Sequence, residues 1–207
     1  MKQGVRSAIL DAAEQVMTAQ GLRAARMEDI AARVGVSVGT LYNYFKDRQR
    51  LLDALLDLRG QELLAGLDGA LERSEGLPYR ARLQGFLQCL LEHAWTHLRL
   101  FGLLLEDAMV HGVPGDKSLE RHQGMSREVA RRLEELNRDG VRQGLLRPED
   151  GAHYPTLLMG MVQAVVFEQL LSSQSASVEG TVEVLLRCFL DGAQPRVKRA
   201  SRSARRR

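Results

Sequence analysis

The sequence predicts an all-α protein in which a three-helix head is followed by a larger helical body. Apolar residues recur three and four positions apart along most of the 207-residue chain, which is the spacing of one face of an α-helix. Between residues 77 and 193 we find no alternation of apolar and polar residues of the kind that predicts a β-strand. The hydrophobic fraction of 44% is large enough to build a core in each part.

By composition the chain divides into a head (residues 1–50), a body (51–194) and a basic tail (195–207). Residues 1–60 hold 9 Lys and Arg against 7 Asp and Glu, and residues 61–193 hold 13 against 19. Residues 194–207 hold 7 basic residues and no acidic ones. Because an acidic surface repels a polyanion, we expect the head or the tail, and not the body, to contact nucleic acid.

A helix-turn-helix pattern over residues 27–52 organises the head. Residues 28–34 predict a short helix with one apolar face. Gly35 follows, where a residue without a Cβ atom can adopt the left-handed conformation that ends a helix. Ser37 can then cap the next helix with its hydroxyl group. We predict this second helix over residues 37–45, with Leu41 and Phe45 turned toward the core.

The outward face of the second helix lacks the Glu, Lys and Gln that normally cover a solvated helix. Small residues let a backbone approach a groove, and hydroxyl and amide groups bond phosphates and base edges. The pattern therefore indicates a recognition helix in the major groove of DNA, the alternative being an ordinary helical hairpin. We expect Val38, Gly39, Thr40 and Tyr42 at or near bases, and Ser37, Tyr44 and Arg48 on phosphates. Asn43 and Arg26 complete the predicted DNA-binding set.

Residues 21–56 resemble the N-terminal DNA-binding domain of TetR-family transcriptional regulators. Two departures stand out. Arg26 occupies the place where the family usually caps its second helix with Thr or Ser. Asp47-Arg48-Gln49 replaces a small residue, Lys and Glu, although Arg48 keeps the positive charge and Asp47 can cap the fourth helix. The blocks that carry the resemblance, in the family's order and spacing, are Asp29-Ile30-Ala31, Gly35-Val36-Ser37, Gly39-Thr40-Leu41-Tyr42 and Tyr44-Phe45.

The resemblance implies a homodimeric, ligand-responsive repressor that binds a palindromic operator in double-stranded DNA. It also implies that the fourth helix links head to body, and that its tilt sets the separation of the two heads. In such regulators the last two helices pair with their copies in a four-helix dimer interface.

The last two predicted helices, at about 152–172 and 177–192, are apolar over more than one face. A two-sided apolar helix indicates burial against a partner as well as a core. The alternative is that both are central core helices of one chain. The residues that we assign to the dimer interface are Leu157, Gly160, Met161, Ala164, Val165, Leu185 and Phe189.

The middle helices are where the resemblance implies an effector pocket. Their apolar composition favours a lipophilic effector. His93 and His97 stand i, i+4 and could share a metal, but no third ligand at useful spacing accompanies them, and we expect neither metal nor cofactor. The candidate pocket residues are His93, Trp95, His97, Phe101, Leu104, Met109, Gln163 and Phe167.

Other functional classes find little support in the sequence. The body has no Gly-rich phosphate loop and no nucleophile elbow, so an enzyme with an ancillary head is disfavoured. Cys89 and Cys188 lie far apart in apolar helices, which favours free thiols over a redox pair. No run of 18 apolar residues and no signal-peptide pattern is present, so we expect a cytoplasmic protein without a membrane span.

Two alternatives stay open at this point. A partner-controlled or architectural DNA-binding protein would need the head but no small-molecule effector. The basic tail, which we expect to be disordered, could attract DNA phosphates without sequence preference, or it could be a solvated extension.

Overall fold

The computed structural model describes residues 2–111, 115–172, 174 and 176–193, so the predicted tail lies outside the described residues. Within these ranges every regular element is a helix, and no strand occurs, which confirms the all-α prediction. A short 3-10 turn, Pro148–Asp150, precedes the last two helices. The nine α-helices are α1 (Lys2–Gln20), α2 (Met27–Val34), α3 (Val38–Tyr44), α4 (Arg48–Arg73), α5 (Tyr79–Thr96), α6 (Leu98–His111), α7 (Gly115–Arg142), α8 (Tyr154–Leu171) and α9 (Val178–Ala193).

The head is built on an apolar core between α1, α2, α3 and the first turns of α4. Ile9, Met17 and Ile30 are among its fully buried side chains. Leu51 and Leu55 extend this core along α4, and Leu100 brings α6 into it. The body therefore contributes to the packing of the head, since α6 lies against α1.

The body has a second apolar core, formed by the later part of α4 with α5, α7, α8 and α9. At the end remote from the head, the buried Tyr79 hydroxyl donates a hydrogen bond of 2.6 Å to Asn137. Burial and the neighbouring Tyr154 raise the pKa of Tyr79 well above its usual range. The chain turns from α4 into α5, and from α7 into α8, at this remote end.

Helix α8 is long and apolar enough, by length and composition, to cross a membrane. Its 18 residues have a mean hydropathy of 1.2, and 22% of them are buried. One such helix is weak evidence for a membrane location, because a helix that packs against other protein passes the same test. Gln163, Glu168 and Gln169 interrupt its apolar sequence, and Gln169 is buried with its side-chain amide bonded to backbone atoms.

Candidate DNA-binding and regulatory sites

The turn before α3 has the geometry that the sequence predicts. Gly35 adopts the left-handed conformation, with φ 78° and ψ 31°, and its N–H donates to the carbonyls at the end of α2. The Ser37 hydroxyl oxygen accepts the Thr40 N–H at 3.0 Å, which caps α3. A left-handed glycine followed by a capped helix reverses the chain within three residues, so α3 leaves α2 at a fixed angle.

Two buried side chains, Leu41 and Phe45, anchor α3 to the head and confirm its predicted inward face. Tyr42 lies opposite them with 46% of its surface exposed. Ser37, Gly39 and Asn43 are also exposed. Thr40, Val38 and Tyr44 are half-buried, and the last two pack at the edge of the head's core. The predicted DNA-binding residues at positions 37–44 are thus exposed or half-buried, in contrast to the buried Leu41 and Phe45.

Neither a close contact nor an unusual backbone conformation requires glycine at position 39 in the described part of the chain. A Cβ atom built there would approach only the Ser37 hydroxyl oxygen, at 3.9 Å, and the backbone has an ordinary helical conformation. Glycine inside a helix costs about 0.5–1 kcal/mol relative to alanine. No contact in the described chain therefore excludes a side chain at this position.

The two departures from the family pattern have structural outcomes. Arg26 stands at the N-cap of α2, exposed, and its side chain makes no capping hydrogen bond. Asp47 caps α4, because its carboxylate accepts the Arg50 N–H at 2.7 Å. Arg48 is half-buried, and its guanidinium donates to the Leu22 carbonyl. A guanidinium has five N–H donors, so a phosphate contact by Arg48 stays a prediction beside this internal bond.

Residues 9–55, which include this whole helix-turn-helix, match the family described as bacterial regulatory proteins, tetR family. The chain thus carries a tetR-family DNA-binding domain. It is similar to the uncharacterized HTH-type transcriptional regulator YhgD of Bacillus subtilis, with 25% identity over 160 residues that cover 77% of this chain and 81% of that protein. It is also similar to the HTH-type transcriptional regulator UidR of Escherichia coli K12, with 24% identity over 191 residues that cover 92% and 93% of the two chains.

Solved tetR-family structures share the fold over nearly the whole chain. A putative TetR-family regulator from Mesorhizobium loti has a TM-score of 0.73 at 18% identity, covering 93% of this chain and 98% of that one. The regulator FadR from Bacillus subtilis, in complex with stearoyl-CoA, has a TM-score of 0.72 at 16% identity and coverages of 91% and 99%. The family match over residues 9–55 and the transcriptional regulators among its relatives show that the chain is a DNA-binding transcriptional regulator, as its resemblance over residues 21–56 implied.

The eight predicted effector residues do not line one cavity in the described part of the chain. Only His93, His97 and Phe101 come together, with ring centroids 4.7 Å apart between the two histidines and 6.4 Å from each to Phe101. Leu104 packs against the head's core, and Met109 is 79% exposed. Gln163 and Phe167 lie on the exposed face of α8. The helical spacing of these residues projects them onto different faces, which composition alone does not reveal.

Trp95 lines a separate groove between the end of α8 and the first turns of α9. Its indole N–H donates to the Ala176 carbonyl at 3.0 Å. The groove encloses about 410 Å³ and is lined mainly by polar and small side chains, among them Gln169, Ser177 and Thr181. Trp95 is therefore separated from the histidine pair with which the sequence grouped it.

An ionic cluster around the buried Arg59 joins head to body, and we name it the Arg59 cluster: Arg59, Asp11, Glu14, Glu62 and His97. The Arg59 guanidinium, 8% exposed, donates to Asp11 and Glu14 of α1 at 2.7 Å each, and to Glu62 of α4 at 2.8 Å. Glu14 is also hydrogen-bonded to His97 Nδ1 at 2.6 Å. His97 lies at the corner between α5 and α6, so three parts of the fold meet at Glu14.

Burial and hydrogen bonding oppose each other in this cluster. Burial raises the pKa of Glu14, but hydrogen bonds from His97 and Arg59 outweigh it, and the pKa falls below its usual value. Burial lowers the pKa of Arg59, yet its bonds to Glu62, Asp11 and Glu14 raise it above the usual range. The neighbouring His93 lies beside His97 and Phe101. Burial, with a contribution from His97, lowers its pKa to about 4.

These shifts predict a loss of stability in acid. A histidine whose pKa falls from 6.5 to about 4 on folding is protonated more readily in the unfolded chain. The free energy of unfolding should therefore decline as pH falls from 6.5 toward 4, and the lowered pKa of Glu14 should add a further decline below 4.5. We expect the urea midpoint to be lower at pH 5 than at pH 7.5, and the His93→Gln variant to lose much of that difference. Equal midpoints at both pH values would contradict the buried, neutral state of His93.

An exposed apolar stripe runs along α8, and we name it the α8 stripe: Leu157, Gly160, Ala164, Phe167 and Leu171. Its members follow one another at spacings of three and four, which places them on one helical face. Leu171 is 74% exposed, and a Cβ atom added at Gly160 would meet nothing within 4 Å. Three of these residues were predicted for a dimer interface. Leu171 and the exposed Val184 of α9 were not, although both continue the apolar pattern.

The other predicted interface residues sit deeper. Met161 and Val165 are half-buried beside the stripe. Leu185 and Phe189 are only 3% and 5% exposed, and the Phe189 ring packs edge-on against Tyr154 with centroids 5.5 Å apart. The structure therefore assigns Leu185 and Phe189 to the chain's own core, in place of the surface that the sequence predicted. An apolar helix with two apolar faces does not indicate which face turns inward.

Proposed function

We propose that this tetR-family regulator is a homodimeric repressor that binds a palindromic operator and is released from it by a small lipophilic effector. One observation carries the DNA-binding part of the proposal. The exposed face of α3 combines Tyr42 with a glycine, Gly39, that no contact within the described chain requires. Close approach of the α3 backbone to the floor of a major groove accounts for it.

The α8 stripe supports the homodimer. A contiguous apolar face of this length on a water-soluble regulator needs a partner, and a second copy of the same face is self-complementary under two-fold symmetry. Gly160 and Ala164 lie side by side on this face, where small residues let two helices approach closely. Two-fold symmetry of the heads in turn fits a palindromic site.

A lipophilic effector is supported by the apolar body and by relatives. Structural neighbours include the fatty acid degradation regulator FadR from Bacillus halodurans and the Bacillus subtilis FadR bound to stearoyl-CoA. We infer a ligand with a long acyl chain. Saturable binding stabilises the folded state, so a ligand at about 100 times its Kd should add roughly 2.7 kcal/mol of stability. A thermal shift series with fatty acids and acyl-CoA thioesters tests this, with the short acetyl-CoA as the matched control.

A regulator without a small-molecule effector is the second candidate. It is favoured by one observation, which is that the predicted pocket residues share no cavity in the described part of the chain. Absence of any thermal shift with acyl ligands, together with operator binding that ignores them, would favour this candidate.

Operator binding itself is tested with the full-length protein by selection from random DNA, followed by fluorescence anisotropy over a salt series. We expect one palindromic sequence to emerge. Tyr42→Ala should weaken binding to it by about 1–3 kcal/mol, the cost of one base-directed contact. A matched variant, Leu145→Ala, removes an exposed apolar side chain remote from the head and should change nothing. Selection of no sequence, with equal binding by both variants, would overturn the proposal.

Gly39→Ala should move stability and DNA binding in opposite directions. The added methyl group finds open space and removes the backbone freedom of glycine, so the free energy of unfolding should rise by up to about 1 kcal/mol. The same methyl group should hinder approach to the groove and weaken operator affinity. Urea unfolding and anisotropy measure the two effects. Unchanged affinity in a stabilised variant would remove the argument from Gly39.

The basic tail should contribute little to operator binding. The chain enters it beside Arg147, whose guanidinium bonds the Gly192 carbonyl at 2.7 Å, at the end of the body remote from the head. Helix α4, which spans head and body, is about 39 Å long, and 13 residues reach at most about 45 Å when fully extended, so the tail could reach the head only in a nearly straight conformation. We expect the slope of log operator affinity against log salt concentration to differ by no more than about one between the full-length chain and a chain ending at Gln194. A difference of one is the contribution of a single phosphate contact. A larger decrease would show that the tail reaches the DNA.

A further inference from the structure

A polar turn of α4 separates the two apolar cores. Leu51 and Leu55 belong to the head's core, and Leu67 belongs to the body's core. The turn between them, residues 59–62, carries Arg59, Gly60, Gln61 and Glu62. One continuous helix therefore enters both units, and its only buried charge lies at their junction among the described residues of α4.

This turn contacts the surrounding helices by specific interactions. Arg59 bonds two carboxylates of α1, and one of these, Glu14, continues to His97 at the α5–α6 corner. On the same turn Gly60 provides the space that the Met125 side chain of α7 occupies, because a Cβ atom there would collide with the Met125 methyl group. The head, the α5–α6 corner and α7 therefore all contact α4 at this one turn.

The chemistry of the Arg59 cluster fits a role in orienting the head relative to the body better than a role in stabilising the contact between them. Apolar packing is non-directional, whereas a guanidinium fork bonds carboxylates in a narrow range of geometries. Replacing a buried ion pair by apolar side chains is often neutral for stability, so such a pair is weak evidence for a stabilising role. Arg23 and Asp107 also join head to α6, but Arg23 is 59% exposed and its ion pair holds a less fixed geometry.

We propose that Arg59 is a positioning residue for DNA recognition: the Arg59 cluster fixes the angle between head and body, and so sets the separation of the two recognition helices. This rests on the proposed homodimer. A rotation of roughly 10° at Arg59 would move the start of α4, about 17 Å away, by about 3 Å. That displacement is close to the 3.4 Å rise of one base pair, so the cluster selects the number of base pairs between half-sites.

The test measures half-site spacing with full-length protein. The selected palindrome is lengthened or shortened at its centre by one and two base pairs, and affinity is measured for each. We expect the wild type to prefer one spacing by at least about fivefold, the lower end of coupling between sites. In the double variant Arg59→Met/Glu14→Gln, which keeps volume and leaves the glutamine amide to pair with His97, the preference should fall to within about twofold. The base preference inside each half-site should stay the same.

Arg131→Met is the matched control, since the ion pairs of Arg131 among the described residues, with Glu128 and Glu135 of α7, are exposed. It should keep the spacing preference. A folded double variant with the wild-type preference would overturn the proposal. If the double variant does not fold, Arg59→Lys keeps the charge but loses the guanidinium fork, and an unchanged preference there would overturn the proposal equally. If the wild type selects no palindrome, the proposed homodimeric repressor fails and this inference fails with it.

Discussion

Ala164→Arg should convert the protein to a monomer and abolish measurable operator binding. Ala164 lies at the centre of the α8 stripe, exposed, one helical turn from Gly160 and beside Phe167. In a two-fold interface centred on the α8 stripe, Ala164 of each chain would lie near the axis, so two arginines would face each other. Like charges opposed across an interface cost several kcal/mol. Within a single chain the new side chain would extend into solvent, so the fold should be unaffected.

The loss of DNA binding follows from the loss of linkage between the heads. Two linked modules can exceed the affinity of either one by 10²–10⁴-fold, and a monomer forfeits that gain. Light scattering after gel filtration gives the mass, and anisotropy gives the affinity. Gln143→Arg adds the same charge at an exposed position just after α7, away from the stripe, and should leave both unchanged. A variant that stays dimeric would place the interface elsewhere.

Arg59→Ala should cost about 3 kcal/mol of folding stability, the low end for breaking a buried ion pair. The substitution leaves Glu14 mostly buried, with His97 as its remaining hydrogen-bond partner, while Asp11 and Glu62 are exposed enough for water to solvate them. The penalty therefore comes mainly from one carboxylate.

Urea unfolding at pH 7.5 measures this effect against two comparisons. Arg131→Ala removes an arginine whose pairs are exposed, and its effect should stay within about 0.5 kcal/mol. Arg59→Met/Glu14→Gln removes both charges and should recover most of the loss. If Arg59→Ala lowered the free energy of unfolding no more than Arg131→Ala, water would have to reach Glu14 in the folded protein. The Arg59 cluster would then not hold head and body in a fixed geometry.

The head was predictable because its signals are local in sequence. The left-handed Gly35, the Ser37 and Asp47 caps and the inward side of Leu41 all depend on neighbours within a few residues, and the structure confirms each of them. The sequence also showed that Arg26 stands where a capping Thr or Ser is usual, and the structure has no side-chain capping hydrogen bond there.

The body was less predictable because its helices are apolar on more than one face. Which face turns inward depends on helices distant in sequence, and so Phe189 was assigned to a surface although it packs against Tyr154. The predicted pocket residues lie on different helix faces for the same reason. Periodicity identifies which residues share a helix face, but it does not identify what that face meets.

The Arg59 cluster was missed although a signal for it existed. Leu51, Leu55 and Arg59 stand four residues apart on α4, so a charge interrupts a buried apolar face. Glu14 follows Leu10 on α1 in the same way. A basic and an acidic residue that each interrupt a core face of neighbouring helices predict a buried ion pair between those helices.

The burial of Leu100 in the core of the head has a practical consequence for exchanging DNA specificity between regulators. A chimera that transplants only the N-terminal segment would carry a head whose core is completed by a leucine of α6. In the recipient, a different side chain would take the place of that leucine. The mismatch would leave either a void or a clash under α1. Heads and α6 side chains must therefore be exchanged together, as matched parts of one packing unit.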